Sequence, residues 1–301
     1  MDENTIDTII DSFMNECRHR RLLDPKTIRA YQADVDQFRR YMKDRPFSRD
    51  SMLGFIEYLN RMYKVSTVKR KLACTRSMMA YAEYEGLIER SPFAGIKVRI
   101  REPQNLPRSL SKDEMNRLYR YAYGQLTDDP ARSLLNVAIL EILFSTGMRV
   151  AELCAMDISD MDAVSGRLII HGKGSRERVS QICNEDSLRT IRRYLNNVPR
   201  MESGKGPMLV NPRGNRVNEQ YVRRTIHSMA RNCLDRDVTP HMIRHTFATL
   251  LLEEGVDIRY IQKALGHSSI LTTQRYLSVT DSKQRDIMTN YHPRNSIRID
   301  L

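Results

Sequence analysis

An arginine and a glutamate three residues apart lie where one predicted helix ends and the next begins. Gly147 can terminate the first helix, so Arg149 falls in the first turn of the second, with Glu152 three residues later. A cation in a first turn opposes the helix dipole, whereas an anion bound there would be shared by the guanidinium and the backbone N–H groups. Glu152 would then hold the guanidinium in place. Taken alone, an ordinary surface Arg–Glu pair is the simpler explanation.

The run from Thr239 to His245 predicts a second anion site. Thr239 is a natural N-cap and Pro240 a natural first helical residue. His241 and Arg244 then lie on one helix face near its positive end. A hydrogen-bond donor would stand beside a fixed positive charge, while His245 would point elsewhere. An HxxR spacing on its own occurs in many helices by chance.

A histidine and a tyrosine near the end of the chain could add a donor and a nucleophile. Gly266 allows a turn that presents His267, and Tyr276 follows nine residues later. Tyrosine has a pKa of ~10 and is mostly protonated at neutral pH, but neighbouring cations favour the phenolate. By itself, Tyr276 would more often be a packing residue than a nucleophile.

Lys173 lies at the glycine-flanked turn of a predicted β-hairpin. Residues 167–171 and 178–182 have the composition of two strands, and Gly172-Lys-Gly-Ser-Arg-Glu177 connects them. A lysine on a mobile turn can give a proton to a leaving oxygen. His171 shares a strand face with Lys173 and is the alternative, but the turn position favours Lys173.

Three aspartates before the hairpin form a competing motif. Asp157, Asp160 and Asp162 could suggest a divalent metal site, but no glycine-bearing EF-hand spacing follows them. A solvated loop explains them better. We therefore expect no metal and no other cofactor.

Length and charge limit what these residues can serve. The chain has 301 residues, more than one core usually holds, with 41% hydrophobic residues and a formal net charge of +12. This charge favours an anionic partner, with nucleic acid the first candidate. On charge alone, a merely basic soluble enzyme is an equal alternative.

The sequence carries no signal for secretion or for a membrane. No apolar run approaches the ~18 residues of a membrane span, and the start lacks the pattern of a secretory signal. The five cysteines include no CxxC pair, which indicates reduced thiols and a cytoplasmic location. Membrane proteins, collagens and disulfide-rich secreted proteins are excluded.

Apolar spacing divides the chain into a helical part, a linker and a mixed part. Four amphipathic helices are predicted in residues 1–98. Prolines and basic residues in 99–108 indicate an interdomain linker. The mixed part, 109–301, opens with a capping-box pattern at Ser111 and Glu114.

One stretch of the helical part carries only positive charge. No acidic residue lies between Glu57 and Glu83, whereas a solvated face, the alternative, usually mixes both signs. We therefore predict a surface that contacts DNA phosphates and continues into the linker. The candidate DNA-binding residues are Lys64, Lys69, Arg70, Lys71, Arg76, Arg99 and Arg101.

Together these motifs resemble the tyrosine recombinase (integrase) family, and within it the Xer type. The resemblance covers nearly the whole chain. It rests on the run His241-Met-Ile-Arg244-His-Thr-Phe-Ala-Thr, followed by Leu265-Gly-His267-Ser-Ser-Ile-Leu-Thr-Thr-Gln-Arg-Tyr276. The resemblance implies a mainly α fold with a small β component. An N-terminal helical core-binding (SAM-like) bundle would precede a mixed α/β tyrosine-recombinase catalytic domain.

The resemblance also implies a role for each candidate residue. All six catalytic positions are filled by the expected residue types: Arg149, Lys173, His241, Arg244, His267 and Tyr276. Tyr276 would be the nucleophile, Lys173 would protonate the leaving oxygen, and Glu152 would support the site. The arginines and histidines would stabilise the phosphate in place of a metal. The implied enzyme is a site-specific DNA recombinase that works through a 3′-phosphotyrosyl intermediate.

The partners implied by the resemblance are double-stranded DNA and further copies of the chain. A homo-tetramer on two DNA sites is expected, with a related recombinase as an alternative hetero-partner. An exchange segment, about 282–301, would pack on a neighbouring protomer. The reaction would serve integration, excision or the resolution of dimers. A non-catalytic DNA-binding regulator, a metal-dependent nuclease and a type IB topoisomerase are the alternatives.

Overall fold

The computed structural model describes residues 3–98, 109–126, 130–172, 177–197 and 206–266. The chain divides into two compact units, residues 1–104 and 105–301. The finer limits expected from the sequence, 1–98, 99–108 and 109–301, stay a prediction, because residues 99–108 lie outside the described part.

Cap residues set the limits of the helices in the N-terminal unit. Asp24 accepts a hydrogen bond from the Lys26 amide at 2.8 Å, and Ser48 accepts one from the Ser51 amide at 3.3 Å. Both side chains satisfy amides that a helix start leaves without a partner. Within residues 3–98, the helices are α1 (Glu3–His19), α2 (Pro25–Met42), α3 (Arg49–Met62) and α4 (Val65–Tyr84).

Apolar residues at helical spacing form the core of this unit. The residues expected to face inward from α3 are all buried: Met52, Phe55, Ile56 and Leu59. Phe55 meets Phe38 of α2 edge to face, with ring centroids 5.1 Å apart. The predicted helical bundle is therefore confirmed.

The C-terminal unit surrounds one helix that is apolar on every side. Its helices are α5 (Lys112–Gly124), α6 (Pro130–Thr146), α7 (Val150–Ala155), α8 (Glu185–Asn197), α9 (Glu219–Cys233), α10 (Pro240–Glu253) and α11 (Ile258–Leu265). The central helix is α6, which packs on α8 and α10. Its apolar residues are buried around the helix, as in the core of a large domain. No helix of the described residues, α6 included, is long and apolar enough to cross a membrane.

The start of the C-terminal unit has the predicted capping box. Ser111 Oγ accepts a hydrogen bond from the Glu114 amide at 3.1 Å, and the Glu114 carboxylate accepts one from the Ser111 amide at 2.8 Å. The amide of Leu110 donates to Thr246 Oγ1 of α10 at 2.8 Å. The first residues of the unit are therefore tied to α10, which carries two of the site candidates.

A small antiparallel sheet lies between α7 and α8 in the sequence. Its strands, β1 (Met161–Asp162), β2 (Arg167–His171) and β3 (Glu177–Gln181), lie side by side in that order. The β2–β3 pair is the predicted hairpin, with His171 opposite Glu177. The second strand of this hairpin, β3, begins and ends one residue earlier than expected. Ile182 follows it, and its amide donates to the carbonyl of Gly166 at 2.9 Å.

Candidate active site

Arg149 is the N-cap residue of α7, one position before the first turn in which the sequence placed it. Gly147 forms the preceding turn with a φ of +59°, a conformation that favours glycine. The Arg149 amide donates to Glu152 Oε2 and its Nη1 donates to Glu152 Oε1, both at 2.8 Å. One carboxylate therefore caps the helix and orients the guanidinium.

A second arginine, which the sequence motifs do not single out, binds the same carboxylate. Arg178 of β3 donates from Nη1 and Nη2 to the two oxygens of Glu152, at 3.0 and 2.8 Å. Its Nε donates to the carbonyl of Ala264, near the end of α11, at 3.1 Å. Strand alternation is the one signal that could have found it, because Arg178 lies between the exposed residues Glu177 and Val179.

Glu152 is ionised at neutral pH although its side chain is only 6% exposed. Burial raises the pKa of this carboxyl, but hydrogen bonds from Arg178 and Arg149 outweigh burial and hold the pKa below its usual value. The stability that these bonds contribute is present at neutral pH. It is lost as the pH falls through the lowered pKa.

Arg244 joins the turn before Arg149 to the end of α11. The residue is 3% exposed. Its Nη1 donates to the carbonyl of Gly147 at 2.7 Å, and its Nη2 donates to the carbonyl of Leu265 at 2.8 Å. The packing at this point is tight, since a Cβ on Gly147 would lie 2.4 Å from Phe247 Cδ1. Three segments of the chain thus meet around the two arginines.

The start of α10 is as the sequence predicts. Thr239 is its N-cap and accepts a hydrogen bond from the Met242 amide at 3.3 Å, and Pro240 is the first helical residue. His241 and Arg244 therefore both lie at the N-terminal end of the helix. That end carries the positive pole of the helix dipole, which favours an anion nearby.

His241 lies close enough to both arginines for their charges to act on its ring. Partial burial lowers its pKa, and the positive charges of Arg244 and Arg149 lower it further. The neutral imidazole is thus favoured at neutral pH. The sequence predicts that His245 points away from His241. Instead, the two rings meet edge to face, with centroids 4.2 Å apart.

Three site candidates, Lys173, His267 and Tyr276, lie outside the described residues. Their roles stay predictions. In the sequence, His267 comes directly after Gly266, which closes α11 in a left-handed conformation with a φ of +64°. The described part of the site therefore contains both arginines, His241 and the supporting Glu152.

Sequence comparisons assign the chain to a family. Residues 108–283 match the sequence model of the phage integrase family, and residues 10–86 match that of the phage integrase N-terminal SAM-like domain. A tyrosine recombinase of Agathobacter rectalis is 38% identical over 97% of this chain and 98% of that protein. The tyrosine recombinase XerD of Oceanobacillus iheyensis is 30% identical over 95% and 98%. The chain belongs to the phage integrase family of tyrosine recombinases.

Solved structures have the same fold as this recombinase. A XerH site-specific recombinase, bound to a palindromic difH substrate in a post-cleavage complex, has a TM-score of 0.75 at 18% identity, over 96% of this chain and 89% of that one. A lambda integrase tetramer bound to a Holliday junction has a TM-score of 0.72 at 19% identity, over 90% and 76%. The resemblance and the mainly helical fold predicted from the sequence are confirmed. The protein is a site-specific DNA recombinase, and a non-catalytic regulator is not favoured.

The acidic residues before the hairpin of the recombinase have protein partners. Asp157 pairs with Arg216, and Asp160 Oδ1 lies 3.1 Å from Nε2 of His171. Asp162 accepts a hydrogen bond from the Val164 amide at 2.9 Å in a local turn. In the described ranges, no group of three or more His, Cys, Asp or Glu residues could hold a metal ion.

His171, the alternative to Lys173, is held between two carboxylates. Its Nε2 faces Asp160, and its Nδ1 lies 3.0 Å from Glu177 Oε1. The hydrogen bond to Asp160 and the nearby negative charges raise the pKa of the imidazole. Both ring nitrogens are therefore engaged by carboxylates, and the role of Lys173 as proton donor stays a prediction.

Two basic residues of α4 bind a buried aspartate of the recombinase. Lys71 is 7% exposed, and its Nζ lies 2.8 Å from Asp34 Oδ1. Arg70 binds the other oxygen of Asp34. The prediction that Lys71 contacts DNA is therefore wrong. The carboxylate that neutralises these charges belongs to Asp34 of α2. A stretch of α4 that lacks acidic residues can therefore still be paired with acidic residues of another helix.

The other candidate DNA-binding residues differ in exposure. Lys64, at the N-cap of α4, and Lys69 are exposed. Arg76 is half-buried and donates to a backbone carbonyl at 2.9 Å. Arg99 and Arg101 lie outside the described residues. DNA contact by these residues and by Arg70 stays a prediction.

Proposed function

We propose that Arg149, Arg244 and His241 bind the scissile phosphate while Tyr276 attacks it. The hydrogen bond from Arg244 to Gly147 carries this proposal, since it holds one arginine at the turn that leads into the other. A guanidinium can bind phosphate in bidentate fashion. Two such cations at one anion stabilise the charge that grows on the non-bridging oxygens during cleavage.

The proposed reaction needs no external energy source. The Tyr276 phenolate forms a bond to phosphorus, and the bond from phosphorus to the 5′-oxygen breaks. Lys173 gives the leaving oxygen its proton. The DNA is then held as a 3′-phosphotyrosyl ester, which keeps the energy of the original phosphodiester. A 5′-hydroxyl of another strand can therefore reverse the attack and exchange the strands.

The two histidines would serve as hydrogen-bond donors to the phosphate. The low pKa of His241 keeps its imidazole neutral at neutral pH, so it donates without adding a third full charge. His267 would provide a second donor from the turn after α11. Glu152 would act through Arg149, because its Oε1 accepts a hydrogen bond from the guanidinium and its Oε2 accepts one from the backbone amide of that residue.

Cleavage in the presence of EDTA tests the proposed chemistry. On a nicked suicide substrate, we expect the recombinase to form a covalent adduct as fast in EDTA as in magnesium, because arginines replace the Lewis acid. Labelled DNA that stays with protein on a denaturing gel measures the adduct. A magnesium-dependent restriction nuclease in the same buffers confirms the chelation. Cleavage that only magnesium restores, with DNA binding unchanged, would favour a metal-dependent nuclease.

We further propose that four copies act on two DNA sites in the cytoplasm. The tetrameric lambda integrase of the same fold supports this assembly, and a related recombinase could replace some copies as a hetero-partner. The two domains, residues 1–98 and 109–301, are joined by the linker 99–108, and both would bind the same duplex. The exchange segment, about 282–301, would pack on the neighbouring protomer. Head-to-tail donation of this kind can close into a ring.

Removal of the chain from Lys283 onward tests the assembly. We expect single protomers of the truncated protein to bind one half-site normally, while cooperative binding to a two-arm site and recombination both decrease. Gel-shift titrations on one-arm and two-arm sites measure the difference. Full cooperativity together with full recombination would show that the segment docks on its own protomer.

A further inference from the structure

Arg178 connects three segments that are distant in the sequence: β3, the start of α7 and the end of α11. We infer that Arg178 is a positioning residue for DNA cleavage, which sets the orientation and the available charge of Arg149 through Glu152. The inference rests on the proposed role of Arg149 at the phosphate. The Arg178 side chain is 13% exposed, and its hydrogen bonds go to the Glu152 carboxylate and the Ala264 carbonyl.

The geometry of the contact fixes the carboxylate. Two parallel N–H···O bonds from one guanidinium hold both oxygens of Glu152 in the plane of the fork. The same two oxygens also accept hydrogen bonds from Arg149: Oε2 from its backbone amide and Oε1 from its Nη1. The orientation of the Arg149 guanidinium is therefore set by a carboxylate that cannot turn while Arg178 is in place.

The charges at this contact also matter. Glu152 is one negative charge between two positive charges, so it does not fully neutralise either arginine. Without Arg178, the buried carboxylate would pair with Arg149 alone. That pairing would reduce the attraction of Arg149 for a phosphate. Arg178 thus leaves a net positive charge for the DNA at the start of α7.

The third bond of Arg178 restrains the end of α11. Its Nε binds the carbonyl of Ala264, one residue before the Leu265 carbonyl that Arg244 binds. A Cβ on Gly266 would lie 3.1 Å from the Arg178 Cδ. Two arginines therefore hold consecutive carbonyls at the point from which the sequence continues to His267.

Replacement of Arg178 by lysine tests the inference. Lysine keeps the charge but cannot reproduce three bonds from one planar group. We expect Arg178→Lys to form the covalent adduct roughly 10- to 100-fold more slowly, as for a small misplacement of a reacting group, with DNA affinity unchanged. The matched control is Arg192→Lys, because Arg192 also bonds a carboxylate and two carbonyls but is remote in sequence from the site motifs. We expect this control to cleave as the wild type does.

A pH profile separates positioning from a general structural role. In the described part of the chain, the charged groups that bond to Glu152 are Arg149 and Arg178. Loss of the Arg178 bonds raises the pKa of Glu152, so the carboxyl takes up a proton at a higher pH and no longer fixes the orientation of the Arg149 guanidinium. The cleavage rate of Arg178→Lys should therefore fall, as the pH is lowered, in a range where the wild-type rate is constant. Adding Glu152→Gln should remove that fall.

The rates and pH profiles of the variants decide whether Arg178 positions Arg149. Arg178→Gln serves as a second variant, expected to show the larger shift, and rates are divided by the folded fraction from circular dichroism. A wild-type rate and wild-type pH profile in both Arg178 variants, or an equal loss in Arg192→Lys, would overturn the inference alone. Failure of the wild-type protein to form an adduct would instead overturn the proposed function.

Discussion

Replacement of Tyr276 by phenylalanine is expected to abolish the covalent attachment of the recombinase to DNA. The variant lacks the oxygen that would bond to phosphorus but keeps the aromatic ring. We expect adduct formation on a nicked suicide substrate to fall by at least roughly 10⁴-fold, as on removal of other enzymic nucleophiles. DNA affinity, measured by gel shift, should be unchanged, because the phenol hydroxyl takes part in the attack on phosphorus and not in DNA binding.

The matched control for this prediction is Tyr260→Phe. Tyr260 belongs to α11 and is 72% exposed, so its hydroxyl can be removed without disturbing the core. We expect the control to form the adduct at the wild-type rate. An adduct in Tyr276→Phe that accumulates as in the wild type would identify another residue as the nucleophile.

Replacement of Arg244 by lysine is expected to reduce both cleavage and stability. Lysine keeps a positive charge but cannot donate to the carbonyls of Gly147 and Leu265 at the same time. Each buried carbonyl left without a partner lowers the free energy of unfolding by about 1–3 kcal/mol. Removing a fixed donor to the transition state costs about 10²–10³-fold in rate. Urea denaturation gives the change in the free energy of unfolding, and the suicide substrate gives the change in rate.

An exposed arginine provides the comparison for Arg244. Arg231 of α9 pairs with Asp237 and is 51% exposed, so Arg231→Lys should change the free energy of unfolding by at most about 0.5 kcal/mol. If Arg244→Lys were as stable and as active as Arg231→Lys, the two carbonyl contacts would have no role in the site.

Local signals in the sequence predicted much of the framework of the site. The residues next to Thr239 and Ser111 predict a helix start at each position, and each of the two residues caps the expected helix. The inward face of α3 followed from its apolar spacing in the same way. Such features depend on residues within one or two turns, so the sequence contains all the information they need.

Contacts between distant segments were not predictable in this way. Lys71 and Asp34 are 37 residues apart, and Arg178 and Glu152 are 26 residues apart. Periodicity shows which side of an element is buried, but it does not show which charged residue of another element completes the pair. For that reason the sequence wrongly predicts DNA contact for Lys71 and does not indicate the role of Arg178.

The bonds of Arg244 have a consequence for the time at which the recombinase becomes active. Its two carbonyl partners lie 97 residues before it and 21 residues after it. Contacts of such long separation form late in folding. At a synthesis rate of 5–20 residues per second, the roughly 120 residues between the partners take about 6–24 s to emerge. A nascent chain can fold its N-terminal bundle during synthesis, but it has no assembled arginine pair, so we expect only the finished polypeptide to nick DNA.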